Sequence, residues 1–209
     1  MDLPKFEEKD FAILTIDGFE PRMTALREQI RPKLEALGQC LAPFLSQMLE
    51  EEVCVHVAKH ARRTVNPPDS TWVAFSTNKR GYKSYPHFQI GMWSTHLFAQ
   101  FALIYEAADF KPLLARHLRE EADTLTHLIP AAFYWSTDHT KPDVIPHRSV
   151  SRETLLRIAN QLEQVKKTEA LCGRQWMRQE SILHHPDALQ KALEETFVHL
   201  LPLYRMSSE

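Results

Sequence analysis

The amino-acid sequence predicts an α+β fold, with a mainly antiparallel sheet flanked by helices. Three observations predict it. Amphipathic stretches at helical spacing occupy both ends of the chain, while apolar segments of strand length follow one another through the middle. Two of those segments flank a turn-rich connection of hairpin type, as neighbouring antiparallel strands require. At 209 residues the chain is long enough for one sizeable core. No repeat, low-complexity tract or linker divides it, so a single domain over 1–209 is expected.

Each element has its own justification. Phe11–Ile16 is a short apolar run and reads as a first strand. Glu20-Pro21 opens a helix, since proline is tolerated in a first turn. Met23, Leu26, Ile30, Leu34 and Leu37 follow at helical spacing, with a bend expected at Pro32 and a stop at Gly38. Leu41, Phe44, Leu45, Met48 and Leu49 form a second stripe. VCVHVAKHARR, residues 53–63, is β-branched at its start and alternates, so it reads as a strand. TWVAFST (71–77) and HFQIGMW (87–93) form a hairpin around NKRGYKSYP, and LFAQFALIYE (97–106) is apolar on both sides, as a central strand should be, with a buried helix as the alternative. Phe110, Leu113, Leu114, Leu118, Leu125 and Leu128 make the next helix. AAFYWS (131–136) and EALCGRQW (169–176) complete the strands. Ser151 caps a helix carrying Leu155, Ile158, Leu162 and Val165. Pro186 opens the last, with Leu189, Ala192, Leu193, Thr196, Phe197, Leu200 and Leu201 along one side.

Composition narrows the function classes. The formal charge of −2 exerts no global pull toward nucleic acid or membrane. Locally the balance differs. Residues 1–54 hold eleven acidic and six basic side chains, a net of −5, whereas 56–87 set Lys59, Arg62, Arg63, Lys79, Arg80 and Lys83 against Asp69 alone, a net of +5. Three cysteines without a CxxC spacing argue against a disulfide framework or zinc knuckle, and place the protein in a reducing cytoplasm. MDLPKFEEKDF is too polar for a secretory signal. The uncharged run between Lys83 and Glu106 contains Pro86, Gln89, Gly91, Ser94, His96 and Gln100, which suits buried strands rather than a membrane span.

Strand alternation locates a candidate site. In HFQIGMW, Phe88, Ile90 and Met92 point one way and His87, Gln89 and Gly91 the other. The central strand offers His96, Gln100, Ala102 and Glu106 together, TWVAFST offers Ala74 and Ser76 beside Trp72, and KHARR places His60 and Arg62 on one face. One sheet face thus combines polar groups with small ones, which a ligand lying on it would explain; the alternative is a helix packed closely over the small residues. Arg62, Arg63, Lys79, Arg80 and Lys83 would rim that face if the segments 59–63 and 79–83 converge, and otherwise form a solvated edge. Trp72, Tyr82 and Tyr85 interleave as stacking surfaces. In STDHTKPD (136–143), Asp138 or Asp143 beside His139 suits acid–base work, although the same residues suit a tight turn.

Metal chemistry has little support. On a strand, the Cα atoms of His56 and His60 lie about 13 Å apart. No HExxH, P-loop, GxGxxG or GxSxG is present.

The blocks HVAKHARRTVNPP, WVAF, NKRGYK, PHFQIG, DHTKP, LCG and LLPLY, from about Phe6 to Tyr204, resemble the YktB-like proteins of low-GC Gram-positive bacteria, a family of uncharacterised soluble proteins. The resemblance implies an α+β domain similar in topology to the antiparallel catalytic domain of class II aminoacyl-tRNA synthetases and biotin–protein ligases. It assigns no activity, cofactor or residue role. The GRGRxG and GxGxGxER segments of those enzymes are absent.

The function expected is binding of an anionic ligand: a nucleotide, a phosphorylated metabolite or short single-stranded nucleic acid. Arg62, Arg63, Lys79, Arg80 and Lys83 would hold the anion, His60, His87, Gln89 and Gln100 would orient the remainder, and Trp72 or Tyr82 would stack. One rival is a transferase or hydrolase using His87, Asp138 or His139 in the same cleft. Another is an adaptor whose basic edge meets an acidic protein.

Overall fold

In the computed structural model, which describes residues 3–208, the expected α+β architecture is borne out. The expected domain limits at 1 and 209 lie outside the described residues. Helices α1 (Glu8–Ala12), α2 (Phe19–Ala25) and α3 (Arg31–Leu49) precede strands β1 (Cys54–Val57), β2 (Ser70–Ser76), β3 (His87–Trp93) and β4 (His96–Leu103). Then come α4 (Lys111–Glu120), α5 (Ala122–Leu128), β5 (Tyr134–Ser136), β6 (Ile145–Pro146), α6 (Arg152–Gln164), β7 (Ala170–Met177) and α7 (Pro186–Ser208). The seven strands form one antiparallel sheet in the order β1-β2-β3-β4-β7-β5-β6.

The sheet's two faces have opposite chemistry. Val73, Phe75, Phe88, Ile90, Met92, Leu97, Phe101, Cys172 and Trp176 join the main buried core with Leu34, Leu41, Leu189, Phe197 and Leu200 of α3 and α7. Alternation then sends Trp72, Ala74, His87, Gln89, Gly91, Phe98, Gln100, Gly173 and Tyr134 to the opposite face, where Ala102, Ile104 and Leu171 make a separate small cluster. Loops rather than helices cover that face.

Four element assignments are corrected. Phe11–Ile16 is not a strand but the end of α1 and a tight 3₁₀ turn. The Asp10 carboxylate accepts the Glu7 N–H at 2.7 Å in a capping box, which selects a helix for an apolar run whose period is ambiguous. Gly38 does not stop a helix. The rod continues to Leu49, where Glu50 in the left-handed region ends it, and Gly38 instead lets α3 press against Val55. Just ahead of Pro32 the chain takes a π turn over Leu26–Ile30, next to a proline that cannot donate to the carbonyl four residues back. The strand beginning at Val53 ends at Val57, because His60 adopts φ 51° and turns the chain away from β2. His60 and Arg62 therefore share no strand face. Finally, the third helix divides at Glu121 into α4 and α5.

Candidate functional site

The polar face carries a hydrogen-bonded chain across four strands. Gln89 pairs with Gln100, Gln100 with Gly173, and Gly173 with Tyr134, which aligns their side chains in one row. Tyr134 Oη donates to Gln100 Oε1, Gln100 Nε2 to Gln89 Oε1, and Gln89 Nε2 to His87 Nε2, each at 2.8 Å. His87 Nδ1 meets the Tyr85 carbonyl, also at 2.8 Å. A carbonyl only accepts, so Nδ1 carries the ring proton and Nε2 is the acceptor. Every link then runs donor to acceptor in one direction. Burial pushes His87 down to about 4, which keeps the ring neutral.

Small residues make the row possible. A Cβ on Gly173 would collide with the Ala99 carbonyl and Gln100, and one on Gly91 with Phe98, Thr71 and Trp72. The ring of Phe98 therefore lies over Gly91 and forms a wall.

Loops close the face. Trp72 Nε1 donates to Tyr82 Oη at 2.9 Å, and the Tyr82 ring stands edge-on to His87 with centroids 4.8 Å apart. His60, in its left-handed conformation, bonds Thr71 Oγ1 at 3.1 Å and sets its ring edge-on to Trp72. Burial, reinforced by Arg63, lowers His60 to about 4. What remains is a narrow cleft of about 30 Å³. Gln89, Gln100 and Tyr134 form its floor, Trp72, Trp93 and Phe98 its aromatic walls, and Asp138, His139 and Lys141 one side.

His139 is held from below by Glu169, just ahead of β7 and almost wholly buried. Nδ1 lies 2.8 Å from both carboxylate oxygens, and the same carboxylate accepts the backbone N–H of His139 at 2.6 Å and of Tyr105 at 3.1 Å. Burial lowers the proton affinity of His139. The hydrogen bond and charge of Glu169, with Glu106 beyond, outweigh that, and the net shift is upward. Asp138 serves the turn instead, accepting from Thr140 N and Oγ1 at 2.9 and 2.6 Å. Sequence reasoning missed Glu169. Its signal was a lone carboxylate abutting the buried run ALC, which demands a partner.

The basic residues gather elsewhere. Lys59, Lys79, Arg80 and Lys83, with Gly81 and Tyr82, line an open groove of about 960 Å³ between β1 and the 77–86 loop. His56 ties that loop to β1 by contacting the Asn78 carbonyl at 3.0 Å. Lys79 pairs with Glu52 at 2.8 Å and Lys83 with Glu106 at 3.6 Å. Lys59 and Arg80 have no ion pair among the described residues. The two basic segments thus converge through Lys59, whereas Arg62 and Arg63 do not line the groove; Arg63 turns to the Asn66 and Pro67 carbonyls. Among the described residues no three His, Cys, Asp or Glu side chains gather as a metal-ligand set, and no helix is long and apolar enough to cross a membrane.

Fold and site define the class: an α+β protein with an antiparallel sheet backed by helices on one face, a loop-capped polar cleft on the other, and a basic groove along the β1 edge. Residues 6–204 match the family described as Domain of unknown function (DUF1054), and the chain belongs to that family. It is 48% identical to the UPF0637 protein of Bacillus cytotoxicus over 206 residues, covering 99% of each chain. It is 45% identical to that of Bacillus licheniformis over 208 residues, covering 98% of this chain and 97% of the relative. The resemblance to an uncharacterised family of low-GC Gram-positive bacteria is therefore borne out.

Proposed function

We propose that the protein binds a small anionic ligand, a nucleotide, another phosphorylated metabolite or a short single strand of nucleic acid, in the groove beside β1. The observation that carries this reading is the gathering of Lys59, Lys79, Arg80 and Lys83 around one wide opening. Arg80 offers a planar fork suited to phosphate or carboxylate, and the lysines add point charges. A Cβ built on Gly81 would meet nothing within 4 Å, so a ligand approaches the backbone there unobstructed. Tyr82 is braced by Trp72 and His87 and presents a fixed ring for stacking. In this reading His60, His87, Gln89 and Gln100 act through the braced aromatics rather than by touching the ligand. Arg62 and Arg63 contribute only longer-range charge.

A thermal-shift panel of pyrophosphate, AMP, ATP, sugar phosphates and polyuridylate at low salt tests the idea, because binding to the native state raises Tm by mass action. The expected result is a shift that disappears in the Arg80→Ala, Lys83→Ala double variant and weakens steeply with salt. A flat panel at low salt would sink the reading.

A further inference from the structure

The enclosed histidines of this protein differ in how they use their ring nitrogens, and His96, whose Nδ1 meets its neighbour Thr95 Oγ1 at 2.8 Å, has no carboxylate partner among the described residues. His87 and His147 use both ring nitrogens: His87 as described, His147 by accepting from Trp135 Nε1 at 3.0 Å on Nδ1 and facing the Thr126 carbonyl at 3.4 Å with Nε2. Such rings brace the fold. His139 differs. Its Nδ1 is committed to a carboxylate buried to 2% exposure, while its side chain stays 19% exposed and Nε2 makes no hydrogen bond among the described residues. A carboxylate on one nitrogen fixes the tautomer and leaves a lone pair on the other, the arrangement a general base requires. His139 borders the narrow cleft, which has room for a water molecule beside it.

We propose that His139 and Glu169 form an acid–base pair that hydrolyses a small carboxylic ester seated at the mouth of this cleft. The surroundings favour an uncharged acyl centre over a phosphoryl group. No arginine lines the cleft, and its lysine, Lys141, is paired with Asp138 at 3.4 Å. After the hydrogen-bonded chain is complete, Gln89 and Gln100 each retain one amide N–H on the floor, a neutral donor suited to a carbonyl oxygen. In the step itself, a water oxygen bonds to the acyl carbon as its proton passes to Nε2. Glu169 holds the imidazolium. The tetrahedral adduct then breaks its bond to the alcohol oxygen, which takes the proton from Nε2. Ester and water become acid and alcohol, and no other reactant is consumed.

The groups facing His139 are Glu169, the Glu106 carboxylate, Lys83, neutral His87, the stacked ring of Tyr105 and the edge of Trp72. The carboxylates prevail over Lys83 and burial, so the rate should rise with pH through a midpoint above that of ordinary imidazole.

The test uses the full chain with p-nitrophenyl acetate, and with p-nitrophenyl phosphate for comparison. Expected are turnover of the acetate but not the phosphate, a loss of 100-fold or more in His139→Gln with Tm retained, and no change in the exposed-histidine control His127→Gln. Glu169→Gln should slow the reaction and move the midpoint down. No acetate hydrolysis, or a wild-type rate equal to that of His139→Gln, overturns the proposal. Should His139→Gln fail to fold, ethoxyformylation of the wild-type protein with peptide mapping decides: modification at His139 supports an open Nε2, and its absence while His127 reacts overturns it. The groove reading is untouched by either outcome, since its anion panel reports on Arg80 and Lys83.

Discussion

Gly38 sits inside a helix, where glycine ordinarily costs about 0.5–1 kcal/mol relative to alanine. Here alanine has no room, because its Cβ would overlap Val55, whose branched side chain is stiff at χ1. Gly38→Ala should therefore destabilise the protein by about 1–3 kcal/mol in urea unfolding, the overpacking range, reversing the sign expected for an open helix position. His87 makes a second prediction. Its folded pKa, about 4, lies below the 6.5 of a free imidazole, so the unfolded chain binds the extra proton between those values. The stability it confers is complete above pH 6.5 and lost as pH falls toward 4, at up to about 1.4 kcal/mol per pH unit. His87→Gln should flatten the acid limb of stability against pH. His139 is displaced upward, so its contribution has the opposite sign: full below pH 6.5, lost as pH rises through its folded value.

At the scale of elements, the N-terminal segment, whose Phe6 and Phe11 are buried in the core, has a polar tie to α3 through one lysine. Lys33 Nζ donates to the Lys5 carbonyl at 2.7 Å and to buried Asp10 at 2.6 Å, and lies 5.5 Å from the Phe6 ring centre. Lys33→Met leaves Asp10 without its counter-charge. Because Lys33 remains a quarter exposed, the cost should fall near or below the low end of the buried-pair range, at roughly 2–3 kcal/mol. Hydrogen exchange should show the loss in amides 6–14 while those of β3 stay protected; uniform loss would refute a local tether. Elements were legible where a period ran long, as along Leu155–Leu162 and Leu189–Leu201. Boundaries were not. KHARR alternates like a strand, but β2 starts only at Ser70 and offers β1 no partner beyond its first residues. The path between them is pinned from afar by Arg22, which donates to the Pro68 carbonyl at 3.1 Å and pairs with Asp69.

Across the whole molecule, the acidic first quarter and the basic second meet at the groove. Glu52, at the end of the acidic part, holds Lys79 on an exposed pair. If the groove binds anions, Glu52→Gln frees that lysine, and affinity for pyrophosphate at low salt should rise by up to about fivefold, the exposed-pair range. Calorimetry at 0.5 M salt should show the gain abolished by screening. An unchanged affinity at low salt would place the anion away from Lys79.

The sequence by itself determined which way most side chains face. Helical stripes and strand alternation are local periods, so Phe88, Ile90 and Met92 could be separated from His87, Gln89 and Gly91 without knowing any neighbour. Gln89 and Gln100 of the cleft floor were therefore readable, as was Trp72 above them, whereas Tyr134 beside them was not. Only the tertiary structure decided what those faces meet. That Glu169 holds His139 thirty residues away, and that Lys59 joins Arg80 while Arg62 and Arg63 turn aside, depends on loop paths. Those paths are set by long-range contacts, of which a local period carries no record.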